Sequence, residues 1–259
     1  MLLNVPSSHY YIMYILLLPV PSLQSISSMK SSLALGLVSR ALAATIPRGA
    51  DVFGGTEADI KNVPYQAEFN VVEAGVFCGG SIISKRHILT AGHCSRLADN
   101  PSEIVIRAGS AKLPAGTEHA VASIHQHPKF NTANGHIDYD VSILELASGL
   151  EFSDSVKAIA VVDSPAVANS TGLLSSWGDS QDGDVTQPME VDLAVIALDE
   201  CIKLLAKYGI VPSDRFFCTL YRAGGKAACH GDSGGPIVID GKLAGSVSGG
   251  PDTYVCPRR

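Results

Sequence analysis

Charge is scarce in this chain. Asp, Glu, Lys and Arg make up 17% of its 259 residues, and 25 acidic side chains against 19 basic ones leave a formal charge of −6. No basic stripe offsets that balance, which argues against a nucleic-acid partner. Long hydrophobic runs are also missing. The most prominent, Tyr10–Val20, has 11 residues, too few for a helix to span a bilayer. C-x-x-C spacing and paired Cys/His ligand clusters do not occur, so no metal is expected. A hydrophobic content of 46% rules out a disordered chain, and neither an internal repeat nor a low-complexity tract interrupts it.

What is present points elsewhere. The six cysteines are an even set, consistent with three disulfides formed in an oxidising compartment, and sequence alone leaves 15 pairings open. From Met29 the chain reads MKSSLALGLVSRALAA, one Lys followed by an apolar stretch and an Ala41-Leu42-Ala43 cleavage site. That is the pattern of a secretory leader. Residues 1–28 contain no Lys or Arg, so Met29 is the more natural start. Residues 1–44 are therefore assigned to a leader, 45–51 to a short activation segment and 52–259 to the mature domain.

Beyond Val52, short β-type runs alternate with turn residues. They include SIIS (81–84), HILTA (87–91), EIVIRAG (103–109), HAVASIH (119–125), VSILEL (141–146), KAIAVV (157–162), MEVDLAVIAL (189–198), GPIVID (235–240) and KLAGSVS (242–248). Many short strands at regular spacing predict an all-β sandwich or barrel. One stretch differs. DECIKLLAKYG (199–209) has apolar residues at helical spacing and ends at Gly209, which predicts a short helix. Asn169-Ser170-Thr171 is a glycosylation sequon.

Candidate chemistry centres on ACHGDSGGPIV (228–238). A lone Asp-Ser-Gly is usually a turn, and a serine hydroxyl is a weak nucleophile without a base and an oxyanion site. Two further stretches supply partners: ILTAGHC (88–94), with His93 after an apolar strand, and HIDYDVSILEL (136–146), with Asp140 before another. Imidazole titrates near neutral pH, so His93 is suited to take the Ser233 proton. Asp138 competes with Asp140 for the acid's place. His125, His127 and His136 lack the further ligands a metal site needs.

In the order His, Asp, Ser, and with CGGSIIS, HPKFN and SWGD around them, these motifs resemble the chymotrypsin-like (trypsin-like) serine peptidases over about Val52–Cys256. The resemblance implies two antiparallel six-stranded β-barrels, about 52–149 and 150–259, with the site between them. It implies His93, Asp140 and Ser233 as the triad and the N–H groups of Gly231 and Ser233 as the oxyanion hole. It favours Asp140 over Asp138, because the family's acid directly precedes the apolar run. It pairs Cys78 with Cys94, Cys201 with Cys218 and Cys229 with Cys256.

The same resemblance places Ala227 at the floor of the specificity pocket, beside Ala228, with Ser248 and Gly250 on its flanking strand. Without an Asp at the floor, aromatic or large apolar residues are expected before the cut, unless another carboxylate such as Asp252 supplies charge. The expected protein is a secreted monomer with no cofactor, acting on protein or peptide substrates and opposed by protein protease inhibitors.

Two departures stand out. The family's activation motif corresponds to Val52-Phe53-Gly54-Gly55, whose freed Val52 amino group would pair with Asp232, yet a cut after Arg48 would leave three residues before Val52. Family members also continue past the last cysteine into a strand and helix, whereas this sequence stops at Arg259. The second barrel is thus expected to lack its last strand and to expose an unpaired edge. A non-catalytic homologue serving as a binding module is the competing reading.

Overall fold

The computed structural model describes residues 12–17, 54–130, 138–178, 187–223 and 225–250. Two early strands, β1 (Ile12–Leu17) and β2 (Thr56–Glu57), belong to a sheet otherwise built from the second half of the chain. The next six are β3 (Gln66–Val71), β4 (Val76–Ile82), β5 (His87–Thr90), β6 (Ile104–Ala108), β7 (Thr117–Gln126) and β8 (Ser142–Leu146). They close into a barrel in the order β3-β4-β5-β8-β7-β6.

Alternation drives this closure. Along β6, Ile104, Ile106 and Ala108 are buried while Val105 and Arg107 are only half-buried, and β8 repeats the pattern with Ser142, Leu144 and Leu146 inward. One face of each strand thus feeds a core containing Phe69, Ile82, Ile88, Ile106, Leu144 and Leu146. A four-residue helix, α1 (Gly92–Ser95), follows β5 directly.

The second half contributes β9 (Thr171–Ser176), β10 (Met189–Ile196), α2 (Leu198–Leu205), β11 (Phe216–Leu220), β12 (Pro236–Ile239) and β13 (Lys242–Gly249). Its sheet runs β11-β1-β13-β12-β9-β10-β2, and a further β10–β11 pairing joins the two sides. Six of these strands therefore form a ring, with β2 added beside β10. The core includes Leu174, Val191, Leu193, Phe217, Ile237 and Val247. The predicted helix is α2 with a one-turn 3₁₀ extension, Ala206–Tyr208, ending at Gly209.

Two expectations are corrected. The stretch 157–162 is not a ladder strand. Its backbone bonds both barrels in turn: Ile159 N–H donates to Ile82 C=O at 2.9 Å, and Leu243 N–H donates to Ala160 C=O at 2.8 Å. This apolar segment at the seam of two barrels reads like a strand because of its composition, yet only Ile159 is buried, with Val161 and Val162 half-buried. The second correction concerns the expected open edge. β1 pairs antiparallel with β11 on one side and with β13 on the other, so the position expected to be empty holds a strand from the N-terminal region.

The barrels meet across Val63, Leu89, Ile159, Trp177, Val238 and Leu243. Ser175 Oγ in β9 donates to Gln66 Oε1 in β3 at 2.8 Å, a buried bond between the two halves. Cys78–Cys94 and Cys201–Cys218 are bonded. Cys229 is also in a disulfide; its expected partner, Cys256, lies outside the described residues.

Candidate active site

His93 sits in α1, immediately after β5. The neighbouring Cys94 ties that helix to β4 through Cys78, with the Cα atoms 6.5 Å apart. Such a crosslink stabilises by about 2–4 kcal/mol and here also limits movement of the turn that carries the imidazole. Cys78, His93 and Cys94 bring three atoms of ligand type within 4.8 Å of one another, but both sulfurs are spent on each other and offer no thiolate.

Asp140 is buried, at 1% exposure. Its Oδ1 accepts the His93 backbone N–H at 2.7 Å, and its Oδ2 lies 2.8 Å from His93 Nδ1. An ionised carboxylate only accepts, so Nδ1 carries the proton and a neutral ring keeps Nε2 as an acceptor. Ser248 Oγ, from β13 of the other barrel, donates to the same Oδ2. The carboxylate thereby holds three donors and joins both halves of the molecule.

Asp138 has a different job. Its carboxylate accepts Arg215 Nε at 3.0 Å, Arg215 Nη2, and Ser213 Oγ at 3.1 Å. Partial burial pushes this carboxyl up, but the hydrogen bonds from Arg215, the Tyr139 N–H and Ser213, together with the Arg215 charge, hold it below the usual carboxylate range. The guanidinium also lies 4.4 Å from the Tyr139 ring centroid. Arg215 precedes β11, so this cluster fastens the segment leading to Asp140 onto the second barrel. No local sequence signal marks it, since the partners are 77 residues apart.

Ser233 lies half-buried in a tight turn fixed from several sides. Its carbonyl accepts Gly79 N–H from β4 at 2.7 Å. Gly234 N–H donates to Val247 C=O at 2.8 Å, and Val247 N–H returns a bond to Gly235 C=O at 3.0 Å. Gly234 has φ +79°, and a Cβ there would fall 2.3 Å from Thr90 Oγ1. Only glycine lets the turn pack so close to the strand leading to His93. Gly231, at φ +90°, turns the chain just before it. The N–H groups of Gly231 and Ser233 donate to no carbonyl among the described residues.

Ser233 Oγ and His93 share no hydrogen bond among the described residues; His93 Nε2 lies 3.6 Å from Cys94 Sγ, and the ring is 30% exposed. Asp232 is fully buried, accepting Gly178 N–H at 2.9 Å and Cys229 N–H. Ala227 is buried, Ala228 half-buried and Gly250 exposed. Val52 and Asp252 lie outside the described residues. An open groove of about 590 Å³, lined by Lys61, Tyr65, Lys157 and Asp192 among others, includes none of these site residues.

The sequence model of the trypsin family matches residues 52–258. This chain belongs to the trypsin family. Among similar proteins, trypsin 5G1 of Aedes aegypti is 34% identical over 204 residues, spanning 77% of this chain and 75% of that protein. The structure of neuropsin, a serine protease of mouse brain, superposes with a TM-score of 0.66 at 25% identity, over 75% of this chain and 85% of that one. An inactivated protease paralogue of the scabies mite shares the fold with a TM-score of 0.66 at 24% identity, over 76% of this chain and 85% of its own. The trypsin-family fold of two barrels is thus shared with catalytic and inactivated proteins alike, and chemistry has to be argued from side chains.

Proposed function

We propose that this protein is a secreted serine endopeptidase that hydrolyses peptide bonds through an acyl-enzyme on Ser233. The observation that carries the reading is the buried Asp140 bonded to His93 at both its backbone N–H and Nδ1. Such an arrangement fixes the imidazole's orientation and tautomer and stabilises the imidazolium that forms during attack. Ser233 Oγ attacks the substrate carbonyl carbon as its proton moves to His93 Nε2. The tetrahedral oxyanion receives the N–H groups of Gly231 and Ser233, each worth about 2.7–4 kcal/mol in a comparable protease. Collapse expels the amine, which takes the proton from His93. Water then repeats the cycle on the ester and frees Ser233.

Activation would follow a cut before Val52, whose new amino group would pair with the Asp232 carboxylate beside the oxyanion turn. The buried Ala227 leaves no carboxylate at the floor position, and an unpaired guanidinium there would cost several kcal/mol. Phe, Tyr or Leu should therefore be preferred before the cut over Arg or Lys. The test is kcat/KM on matched peptides differing only at that residue, using protein cleaved before Val52. Preference for Arg would overturn the specificity. Hydrolysis unchanged in Ser233→Ala would overturn the mechanism.

The lack of a hydrogen bond between His93 Nε2 and Ser233 Oγ, with the ring nitrogen placed by Cys94 Sγ, favours a second reading, a non-catalytic homologue that uses the cleft for binding. Catalytic hydrogen bonds commonly tighten only on substrate binding, so the peptidase reading is preferred.

A further inference from the structure

Among the described residues, the second ring closes through β1. From β10 the pairing continues directly to β11, and from β9 through β12 to β13, but β11 and β13 do not pair with each other. Between them lies Ile12–Leu17, with Ile12 opposite Leu220, Leu16 opposite Phe216, Ile15 opposite Val247 and Leu17 opposite Gly245. We propose that Ile12–Leu17 is a donor strand in the intact, uncleaved chain, and that the space between β11 and β13 is an acceptor site for this strand. The inference goes beyond the catalytic reading and does not depend on it.

The composition suits the place. IMYILL is a continuous apolar run, a composition consistent with a strand inside a sheet. All five residues of β11 are buried, and so are Leu243–Ser248 of β13. Backbone chemistry makes the dependence sharper. Val247 gives both its N–H and its C=O to the Ser233 turn. In an antiparallel ladder alternate residues face opposite neighbours, so the backbone groups of Ser246, which pairs with Leu16, face β1. Without β1 those groups lose their partners on the strand whose Ser248 side chain holds Asp140. The acceptor site therefore supports the candidate active site from behind.

Capture of an extended segment at a sheet edge is a general recognition mode, with affinity supplied by the main chain. Here donor and acceptor belong to one chain.

The deciding experiment is amide hydrogen exchange on the intact 259-residue chain. Residues 12–17 should exchange more slowly than an unstructured peptide by on the order of a hundredfold or more, in step with 216–220 and 242–249, because core strands exchange only when they open together. Exchange of 12–17 at free-peptide rates, with 216–220 and 242–249 still protected, would overturn the proposal and mean that another segment occupies the site. A second measurement uses Ile15→Pro, which removes one ladder N–H and bends the strand. Protection should fall at 216–220 and 242–249 while 66–71 and 142–146 keep theirs. Unchanged protection throughout would contradict the donor role. Neither readout involves hydrolysis, so an inactive protein with a protected donor strand would refute only the peptidase reading.

Discussion

The two barrels solve the same closure problem in different ways. The first is drawn from one contiguous stretch, with all six strands between Gln66 and Leu146. The second gathers β9 to β13 from the C-terminal half and completes its ring with Ile12–Leu17, so that Tyr14 faces Gly249. Nearby strands meet at modest loop-closure cost, whereas pairing segments from opposite ends of the chain closes a longer loop and raises contact order. The first barrel is the self-sufficient half. The second, in the uncleaved chain, is closed by a distant strand, and it is the half that carries Ser233.

The comparison is sharpened most by dividing the candidate site along the same line. His93 and Asp140 come from the first barrel; Ser233 and Ser248 come from the second. If they act as one unit, Ser233→Ala and His93→Ala should each lower kcat by roughly 10⁶-fold, and the double variant should lose little more than either alone. Losses that multiply would mean the halves contribute separately.

Smaller effects probe the seams. Ser248→Ala removes one donor from the Asp140 carboxylate but leaves the two from His93. A charged hydrogen bond is worth about 1.5–3 kcal/mol, which sets an upper range of roughly 10- to 100-fold on kcat, with KM nearly unchanged if the serine acts through Asp140 alone. An effect confined to KM would instead place Ser248 in substrate binding.

Arg215→Gln tests the Asp138 link between the barrels. The pair is only partly buried, so the loss at pH 7 should be about 1 kcal/mol, or roughly 2–4 °C in Tm. The Asp138 carboxyl lies below its ordinary value in the folded protein. Its contribution is therefore complete above the unfolded value, near about 4, and is lost as pH falls through the lower folded value. The difference in Tm between the two proteins should vanish in that acid range. A difference that persists there would mean Arg215 acts by packing on Tyr139.

Much of the first barrel is legible in the sequence because its strands alternate cleanly, and 87–91, 103–109 and 141–146 fall close to β5, β6 and β8. The second barrel is harder to read. KAIAVV has strand composition but spends its backbone bonds on two different sheets, a tertiary choice that local sequence does not encode. Ile12–Leu17 lies in the stretch assigned to a leader, and its apolar composition suits both a leader and a strand inside a sheet. At the site, motifs mark His93, Asp140 and the Ser233 turn. Nothing local marks Arg215, since its meaning depends on Asp138 and Tyr139 folding onto it from the other barrel. Ser248 reads only as a pocket residue, and its bond to Asp140 is a cross-barrel contact that only the fold creates.

The central claim is that Ser233 is a nucleophile assembled by both barrels. Its most direct test is reaction of protein cleaved before Val52 with a fluorophosphonate, followed by peptide mapping of the adduct. The account predicts one adduct, on Ser233, abolished in Ser233→Ala and nearly so in His93→Ala. A correctly folded and cleaved protein that takes up no label at Ser233 would contradict it.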